Sequence, residues 1–469
     1  MNAQRIGLWA GLAIFVAMLM LLPVPDSMSP QAWKVAALTV LMAIWWMTQA
    51  IPLTATALLP FLALPTMGVM TAGETASEYY SPILFLILGG AFLALAIERV
   101  GLHKRLALAI IGLSGKSAWG ILFAFMVATG LLSMLISNTS STLIMVPIAL
   151  AVLVAGGVQE KDTEGFAGAL IMGVAFAASI GGLGTLVGSP TNAIAVGLIN
   201  KTLGMQIDFL GWLKFGLPIV IIGIPVSAAI LIVVQKVGRD SFDGERARAV
   251  IGASGAWSLP EKRLVPVVAL VMLGWLLLPE IKPFFPDGAL HDGSVAILGG
   301  LLLFMLPDGT GRKLLNWDEA DRAPWGVIMM FGGGLALAAG IIESGLADWL
   351  GLMLEPLRSV PVLVIAVALV ALVILITEFA SNVATASGVM PVVASLILAT
   401  GVDPVLLAVP AAMAASWGFM LPSGTGPNAI AWATGHIELP KMLKSGFLLD
   451  LAGIPIIIGC IWMVAVVTN

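Results

Sequence analysis

Four short segments rich in Ser, Thr, Asn, Gly and Pro interrupt long apolar runs of this 469-residue chain. These polar islands cover residues 133–142, 181–192, 377–385 and 421–428. Pro removes a backbone donor and Gly allows non-helical dihedrals, so unwound helix is predicted at 188–192 and 424–428. Opened carbonyls together with hydroxyl and amide oxygens suit a hard cation such as Na⁺. Exposed helix N-termini at the same breaks suit an anion.

The composition restricts the class of protein that can carry these islands. Hydrophobic residues make up 59% of the chain and charged residues only 10%. Uncharged runs of about 18 residues recur along the sequence, which is typical of membrane-spanning helices. The ten-residue alternation of a spanning β-barrel is not present. The sequence therefore predicts an all-α polytopic membrane protein.

Sequence motifs argue against several other functions. The single cysteine, Cys460, excludes a disulfide framework and a cysteine-based metal site. The three histidines fall in loops far apart in sequence, and no phosphate-cradling GxxxxGK[ST] pattern occurs. We therefore expect neither an enzyme, nor an ATP-driven pump, nor an organic cofactor. A channel or a membrane-embedded enzyme is the alternative from another class.

The positions of the basic residues predict the topology, because loops rich in Lys and Arg face the cytoplasm. One set of loops holds 17 of the 22 basic residues. These are Arg5, Arg99, Lys104, Arg105, Lys116, Lys161, Lys236, Arg239, Arg246, Arg248, Lys262, Arg263, Arg312, Lys313, Arg322, Lys441 and Lys444. This set of loops and the remaining loops keep to opposite sides of the membrane only under two conditions. The stretches at about 118–158 and 360–400 must be re-entrant hairpins, and 35–66 must be two spans. Eleven spans then result, with the N-terminus inside and the C-terminus outside.

The two halves of the chain repeat each other at a constant offset of 244 residues. The matches are Gly89-Gly90 with Gly333-Gly334, Gly101-Leu102 with Gly345-Leu346, Ser137-Asn138 with Ser381-Asn382, and Pro147 with Pro391. The charge pattern places one hairpin on each side, so the repeats are predicted to be inverted. Inverted repeats are typical of secondary transporters, whose substrate site lies between the repeats near mid-membrane.

The repeats predict the organisation of the chain as follows. Residues 1–80 form N-terminal scaffold helices, 81–236 the first repeat, 237–263 a cytoplasmic connection, 264–324 further scaffold helices and 325–469 the second repeat.

Asn138 and Asn382 are the strongest ligand candidates, because a buried amide needs several partners. A single Ser or Gly in an island can instead serve close helix packing. One site per repeat predicts two cation sites flanking one anion site. No Lys, Arg or His lies within or beside an island in sequence. A bound dianion would then be neutralised by Na⁺ and helix dipoles, which favours symport over exchange. Glu378, whose counterpart is Met134, either tunes a cation site or bonds a polar partner.

At these residues the sequence resembles the divalent anion/sodium symporter family over essentially its whole length. The motifs are Ser137-Asn138-Thr139 with 188–193, Ser381-Asn382-Val383 with 425–429, and the stretch 46–52. The resemblance implies a homodimer with a scaffold domain and a mobile transport domain that moves in elevator fashion. It also implies a bacterial inner-membrane location and uptake of a small dianion with Na⁺. C4-dicarboxylates are favoured over citrate, tartrate or sulfate as the family's commonest bacterial substrates.

The resemblance implies residue roles by matching positions. The first sodium site would use Ser133, Ser137, Asn138 and Gly188, and the second would use Thr377, Ser381, Asn382 and Gly424. The substrate carboxylates would meet Ser137, Asn138, Thr139, Ser381, Asn382, Val383 and Thr425. Two positions depart from the family pattern: Val383 lacks a hydroxyl, and Gly426 stands where Pro is usual. An anion exchanger of the same fold is the alternative within transport.

Overall fold

The computed structural model describes residues 3–158, 163, 165–238, 243–246 and 255–468, and their architecture is helical. The first half contains α1 (Ala3–Met20), α2 (Pro30–Thr48), α3 (Leu53–Thr56), α4 (Leu59–Thr66), α5 (Ala72–Glu78), α6 (Pro82–Val100), α7 (Leu102–Ile111), α8 (Ala118–Ser133), α9 (Asn138–Ala155), α10 (Gly165–Gly182), α11 (Pro190–Leu203) and α12 (Phe209–Gln235). The second half contains α13 (Leu259–Leu276), α14 (Leu278–Ile281), α15 (Asp292–Met305), α16 (Trp317–Ala320), α17 (Trp325–Glu343), α18 (Leu346–Leu354), α19 (Val362–Phe379), α20 (Asn382–Thr400), α21 (Pro404–Ala414), α22 (Gly426–Ala433) and α23 (Leu439–Thr468).

The described residues contain eight helices long and apolar enough to cross a membrane, which confirms the helical membrane class. The number is nine if α13 and the bent segment after it, which turns by 71°, count as one span. Eleven spans were predicted. The difference arises partly at 35–66, where the second predicted span consists of the short helices α3 and α4. Pro52 precedes α3 and Pro60 lies in the first turn of α4, and proline cannot continue a preceding helix.

Each stretch predicted to be a hairpin contains two helices that pack on one another, and their re-entrant course stays a prediction. The first pair is α8 and α9, and residues 134–137 join them. The start of α8 and the end of α9 both contact the segment 243–245. Lys116 forms an ion pair with Glu245, and the Asp243 amide donates to the Gly156 carbonyl over 3.0 Å. The second pair is α19 and α20, whose open ends are tied by Arg358, which donates to the Ala399 carbonyl over 2.7 Å. Each break therefore lies at the far tip of its hairpin.

Three loops predicted to be cytoplasmic share one end of the molecule. Arg99 forms an ion pair with Asp308 and donates to the Leu314 carbonyl over 2.9 Å. Arg105 forms an ion pair with Glu261 over 2.8 Å. These contacts join the loops around 99–105, 255–261 and 308–314, as the charge pattern requires. Lys161, Arg239, Arg248 and much of the predicted connection 237–263 lie outside the described residues.

The glycine matches between the halves occupy equivalent structural positions. Gly101 and Gly345 precede α7 and α18, with φ of +81° and +78°, a backbone conformation that residues other than glycine rarely adopt. Gly89 and Gly333 lie at close helix crossings instead. A Cβ on Gly89 would stand 2.4 Å from the Ala296 carbonyl carbon, and one on Gly333 would stand 2.2 Å from the Ala57 oxygen. The sequence repeat therefore corresponds to a repeat in local structure.

Helix α10 lies at the centre of the fold and is buried along its whole length. It packs against α8 and α9 of the first hairpin and against α12 and α22. Small residues make this possible, since Gly181 approaches the Gly130 backbone so closely that a Cβ would stand 2.3 Å from its oxygen. The C-terminal end of α10 thereby reaches the tip of the first hairpin.

Candidate functional site

The two hairpin tips are built in the same way. Ser137 precedes α9, and its hydroxyl oxygen accepts the Ser140 amide over 3.2 Å. Ser381 precedes α20 and accepts the Ala384 amide over 3.2 Å. A serine in this position satisfies a backbone donor that has no partner in its own helix. Asn138 and Asn382 consequently occupy the first helical position of their helices, directly beside the break.

A hydroxyl, an amide and a carbonyl meet in the same pattern at each tip. The Ser133 Oγ lies 2.7 Å from Asn138 Oδ1 and 2.6 Å from the Ala178 carbonyl oxygen. The Thr377 Oγ1 lies 3.0 Å from Asn382 Oδ1 and 2.7 Å from the Ala415 carbonyl oxygen. A hydroxyl has one proton, so it cannot satisfy two acceptors fully at once. With Oδ1 of each amide facing the hydroxyl, each tip is an oxygen-rich point that a further positive charge would stabilise.

Additional backbone oxygens surround Asn138. Its amide, when turned so that the nitrogen faces inward, donates to Ser133 Oγ over 2.7 Å and to the Ala178 and Gly188 carbonyls over 3.3 and 3.2 Å. A Cβ on Gly182 would lie only 2.1 Å from the Asn138 Oδ1 position. The structure thus brings together Ser133, Asn138 and Gly188 of the predicted first set, while Ser137 caps the helix beside them.

The breaks after the hairpins span more residues than predicted. Helix α10 ends at Gly182 and α11 begins at Pro190, so the break covers 183–189 rather than 188–192. The second break covers 415–425 rather than 424–428. Proline is compatible with the first turn of a helix, where no amide donor is needed, so Pro190 and Pro427 start helices instead of interrupting them.

Two buried asparagines, Asn192 and Asn428, hold these breaks in shape, a role that the sequence analysis did not assign to them. The Asn192 Nδ2 donates to the Gly182 and Thr185 carbonyls over 2.7 and 2.8 Å. The Asn428 Nδ2 donates to the Leu421 carbonyl over 3.1 Å. Both side chains are fully buried, and neither Oδ1 has a hydrogen-bond donor among the described residues. They lie 236 residues apart, close to the 244-residue offset of the repeat, and this correspondence was the signal that could have identified their role.

The second set is also brought together, with Glu378 beside it. Gly424 lies against the Glu378 backbone, since a Cβ there would be 3.4 Å from the Glu378 carbonyl oxygen. The Glu378 carboxylate is buried and accepts the amides of Met420 and Leu421 over 2.9 and 3.0 Å. Two roles were considered for Glu378, and these contacts support the second, a bond to a polar partner. The first repeat has Met134 at this position, whose side chain packs on Gly184 instead.

The two repeats meet near the predicted substrate residues. Helices α9 and α22 pack on one another, and a Cβ on Gly426 would stand 2.6 Å from Thr139 Oγ1. The Thr425 hydroxyl caps α22 by accepting the Asn428 amide over 3.2 Å. Thr139 and Thr425 are thus brought to the same junction. Val383 presents an apolar surface and packs against the buried cluster that contains Trp46.

A cavity of about 200 Å³ reaches the first hairpin tip. Ser137, Ser140 and Ser189 line one side of it, and α6 contributes Gly90 and Ala94 to the other side. The exposed side chain of Arg322 also lines it, together with Glu98. In the sequence, no basic residue lies next to an island. Arg322 was therefore not recognised as a neighbour of the first island, because it is about 180 residues away from Ser137 along the chain.

Comparisons with known proteins identify the family of the chain. The model of the sodium:sulfate symporter transmembrane region matches residues 3–468. A protein of Staphylococcus saprophyticus named sodium-dependent dicarboxylate transporter SdcS is 40% identical over 468 residues, covering 97% of this chain and 90% of its own. The SdcS of Staphylococcus aureus strain USA300 is 39% identical over 474 residues, covering 98% and 91%.

A solved structure shares the fold. The crystal structure of the Alcanivorax borkumensis YdaH transporter superposes with a TM-score of 0.54 at 16% identity, covering 92% of this chain and 98% of that one. At that identity the likeness concerns the fold alone. The family match over nearly the whole chain leads to one conclusion. The chain belongs to the sodium:sulfate, or divalent anion/sodium, symporter family of transporters and is not an enzyme.

Proposed function

We propose that the protein takes up a C4-dicarboxylate such as succinate, malate or fumarate together with Na⁺ across a bacterial inner membrane. The observation that carries the proposal is the matched hydroxyl–amide–carbonyl cluster at the two hairpin tips. The names of relatives that are 39–40% identical over nearly the full chain support both the substrate class and the coupling ion.

The first sodium ion is proposed to bind among Ser133, Ser137, Asn138 and Gly188, and the second among Thr377, Ser381, Asn382 and Gly424. Several oxygens converge on Asn138, which supports the first site. In the turned orientation the amide nitrogen donates to these oxygens and takes the place that a positive charge would have. A sodium ion there would favour the opposite orientation, because Oδ1 would then be a ligand. Oxygen ligands of this kind suit a hard cation.

The substrate is proposed to lie between the tips, where its carboxylates meet Ser137, Asn138, Thr139, Ser381, Asn382, Val383 and Thr425. The contact of Thr139 with Gly426 supports this placement, because it brings the two repeats together. The N-termini of α9 and α20 carry partial positive charge toward this junction. Together with two bound sodium ions, they would offset the charge of a dianion, which would otherwise be costly to bury.

The architecture is proposed to be eleven spans with two re-entrant hairpins in inverted repeats. Scaffold and transport domains would move past one another in elevator fashion within a homodimer, with the N-terminus cytoplasmic and the C-terminus outside. The cavity between α6 and the first hairpin supports this division, because α6 packs on α15 of the predicted scaffold segment 264–324, whereas the tip would carry the cargo. Its Arg322 and Glu98 lie near the end rich in basic loops, so the cavity would open to the cytoplasm.

The test is uptake of radiolabelled succinate into proteoliposomes, with an inward Na⁺ gradient compared with K⁺ or choline. Uptake that requires Na⁺ is expected, and competition by citrate, sulfate and tartrate then defines the selectivity. No uptake with Na⁺, but counterflow into vesicles preloaded with dicarboxylate, would identify an exchanger and contradict the sodium sites. Flux that does not saturate would instead identify a channel.

A further inference from the structure

The turn between α11 and α12 of the first repeat is fastened to the predicted scaffold by three contacts. The Phe209 ring stacks on Trp275 of α13 with the ring centroids 4.5 Å apart. The Phe209 amide donates to Asp292 Oδ2, at the start of α15, over 2.7 Å. On the other side of the turn, Lys201 forms an ion pair with Glu78 at the end of α5. These five residues form what we call the outer clamp.

Both sides of the outer clamp are held together by their own hydrogen bonds. Within the turn, the Asn200 Nδ2 donates to the Ile207 carbonyl and the Ile207 amide donates to Asn200 Oδ1, both over 2.9 Å. Within the scaffold, the Trp275 Nε1 donates to the Asp292 carbonyl over 3.0 Å, which joins α13 to α15. Phe209, Trp275 and Asp292 are buried. The contacts therefore join two internally bonded units across one interface.

The outer clamp lies at the end of the molecule opposite the basic loops. Helix α13 begins after the loop 255–261 and α15 ends before the loop 308–314, and these loops share the end that is predicted to be cytoplasmic. Trp275 and Asp292 lie at the other ends of the same two helices. Lys201 is not among the 17 basic residues of the predicted cytoplasmic set. All three positions therefore indicate the extracytoplasmic side.

The first repeat is separated from α6 at the opposite end, where Arg322 and Glu98 line the cavity that reaches the first hairpin tip. Alternating access requires a path that is closed at one end while it is open at the other. We propose that the outer clamp closes the extracytoplasmic path between the first repeat and the scaffold, and that its release lets the repeat move outward. The inference rests on the proposed division of the chain into scaffold and transport units.

A reversible metal bridge tests whether the outer clamp opens during transport. In Glu78→His combined with Lys201→His, two imidazoles can hold Zn²⁺ where the ion pair stood. Zn²⁺ should reduce succinate uptake by this double variant roughly tenfold or more, and EDTA should restore it, because the bridged turn cannot leave the scaffold. The wild type and each single variant carry the three native histidines, and Zn²⁺ should change their uptake by less than about twofold.

Binding of Zn²⁺ at the bridge is checked by a rise in the thermal unfolding midpoint of the double variant. No rise would show that residues 78 and 201 are not in contact, which would overturn the proposal. A rise together with unchanged uptake would show that the contact is permanent packing, and it would overturn the proposal as well.

Hydrogen exchange supplies a readout that needs neither succinate nor Na⁺. If the contacts open as one unit, Zn²⁺ should slow exchange of the Phe209 amide roughly tenfold in the purified full-length double variant. The Val405 amide, which donates to Asp403 over 2.9 Å in the second repeat, is the matched control and should not change. Unchanged exchange at Phe209 would overturn the proposal. Uptake that is absent from every protein, even with EDTA, would instead count against the proposed function alone.

Discussion

Replacing Gly182 by Ala should disable the first sodium site through one steric contact. Gly182 is fully buried at the C-terminal end of α10, and the added Cβ would lie 2.1 Å from Asn138 Oδ1 and 2.9 Å from Nδ2. Ordinary contacts of a Cβ begin at 3.4 Å, so the amide must retreat by about 1.3 Å, the difference between 3.4 and 2.1 Å. That movement breaks the 2.7 Å contact between Ser133 Oγ and Asn138.

The size of the effect follows from the groups left without partners. A buried polar group that loses its hydrogen bond costs about 1–3 kcal/mol. At about 1.4 kcal/mol per tenfold change, the half-saturating Na⁺ concentration should rise roughly 5- to 150-fold. The assay is succinate uptake into proteoliposomes as a function of Na⁺, together with the Na⁺-induced increase in the thermal unfolding midpoint.

Gly184→Ala is the matched control, because it also adds a methyl group to a buried glycine of the same polar island. Its Cβ would meet the Met134 side chain at 2.9 Å, and this flexible side chain can move aside. We expect a change of no more than about twofold in that variant. A Gly182→Ala protein with a normal Na⁺ dependence would refute the reasoning that Asn138 holds the cation. Equal losses in both variants would indicate general destabilisation.

Three further predictions concern the two hairpin tips, the cavity and the ion pair of Asp308. Asn138→Ala and Asn382→Ala should each reduce Na⁺-coupled uptake at least tenfold while the unfolding midpoint without Na⁺ stays close to wild type; normal uptake in either variant would contradict the site. Arg322→Ala should raise the half-saturating succinate concentration for efflux roughly two- to fivefold, with Arg322→Lys close to wild type and the difference shrinking at high salt. Burial of Asp308 opposes its ionisation, but hydrogen bonds from Thr310 and the Arg99 charge outweigh this and hold the pKa of Asp308 below its usual range. Its stabilising effect is therefore complete above the ordinary aspartate pKa and is lost as the pH falls through the lower folded value. Asp308→Asn should lower the unfolding midpoint at pH 7 by roughly 1 °C per kcal/mol lost in a chain of this length, and it should flatten the fall of the midpoint in acid.

The sequence predicted the parts of the site that repeat. The offset of 244 residues joins Ser137-Asn138 with Ser381-Asn382, and the structure gives these pairs the same caps and the same amide contacts. The positions of the basic residues predicted the two hairpins, and the structure shows the packed helix pairs but does not test their re-entrant course. The eleven spans, the inverted relation and the dimer remain predictions, since the described helices supply eight or nine candidate spans.

Other features depend on contacts between residues that are far apart in sequence. Arg322 reaches the cavity from the loop before α17, so no local pattern identifies this contact. The extent of the breaks was also missed, because Pro190 and Pro427 were assigned to unwound chain although proline is compatible with the first helical turn. Burial of Asn192 and Asn428, which stabilises those breaks, likewise follows from helix packing.

Sodium movement driven by the substrate is the most direct test of coupled transport. Coupling between two bound species is reciprocal, so an inward succinate gradient should drive the accumulation of radioactive sodium in proteoliposomes initially at equal Na⁺ on both sides. We expect this accumulation in the wild type and its loss in Asn138→Ala and Asn382→Ala. Succinate entry without any accompanying sodium would contradict it.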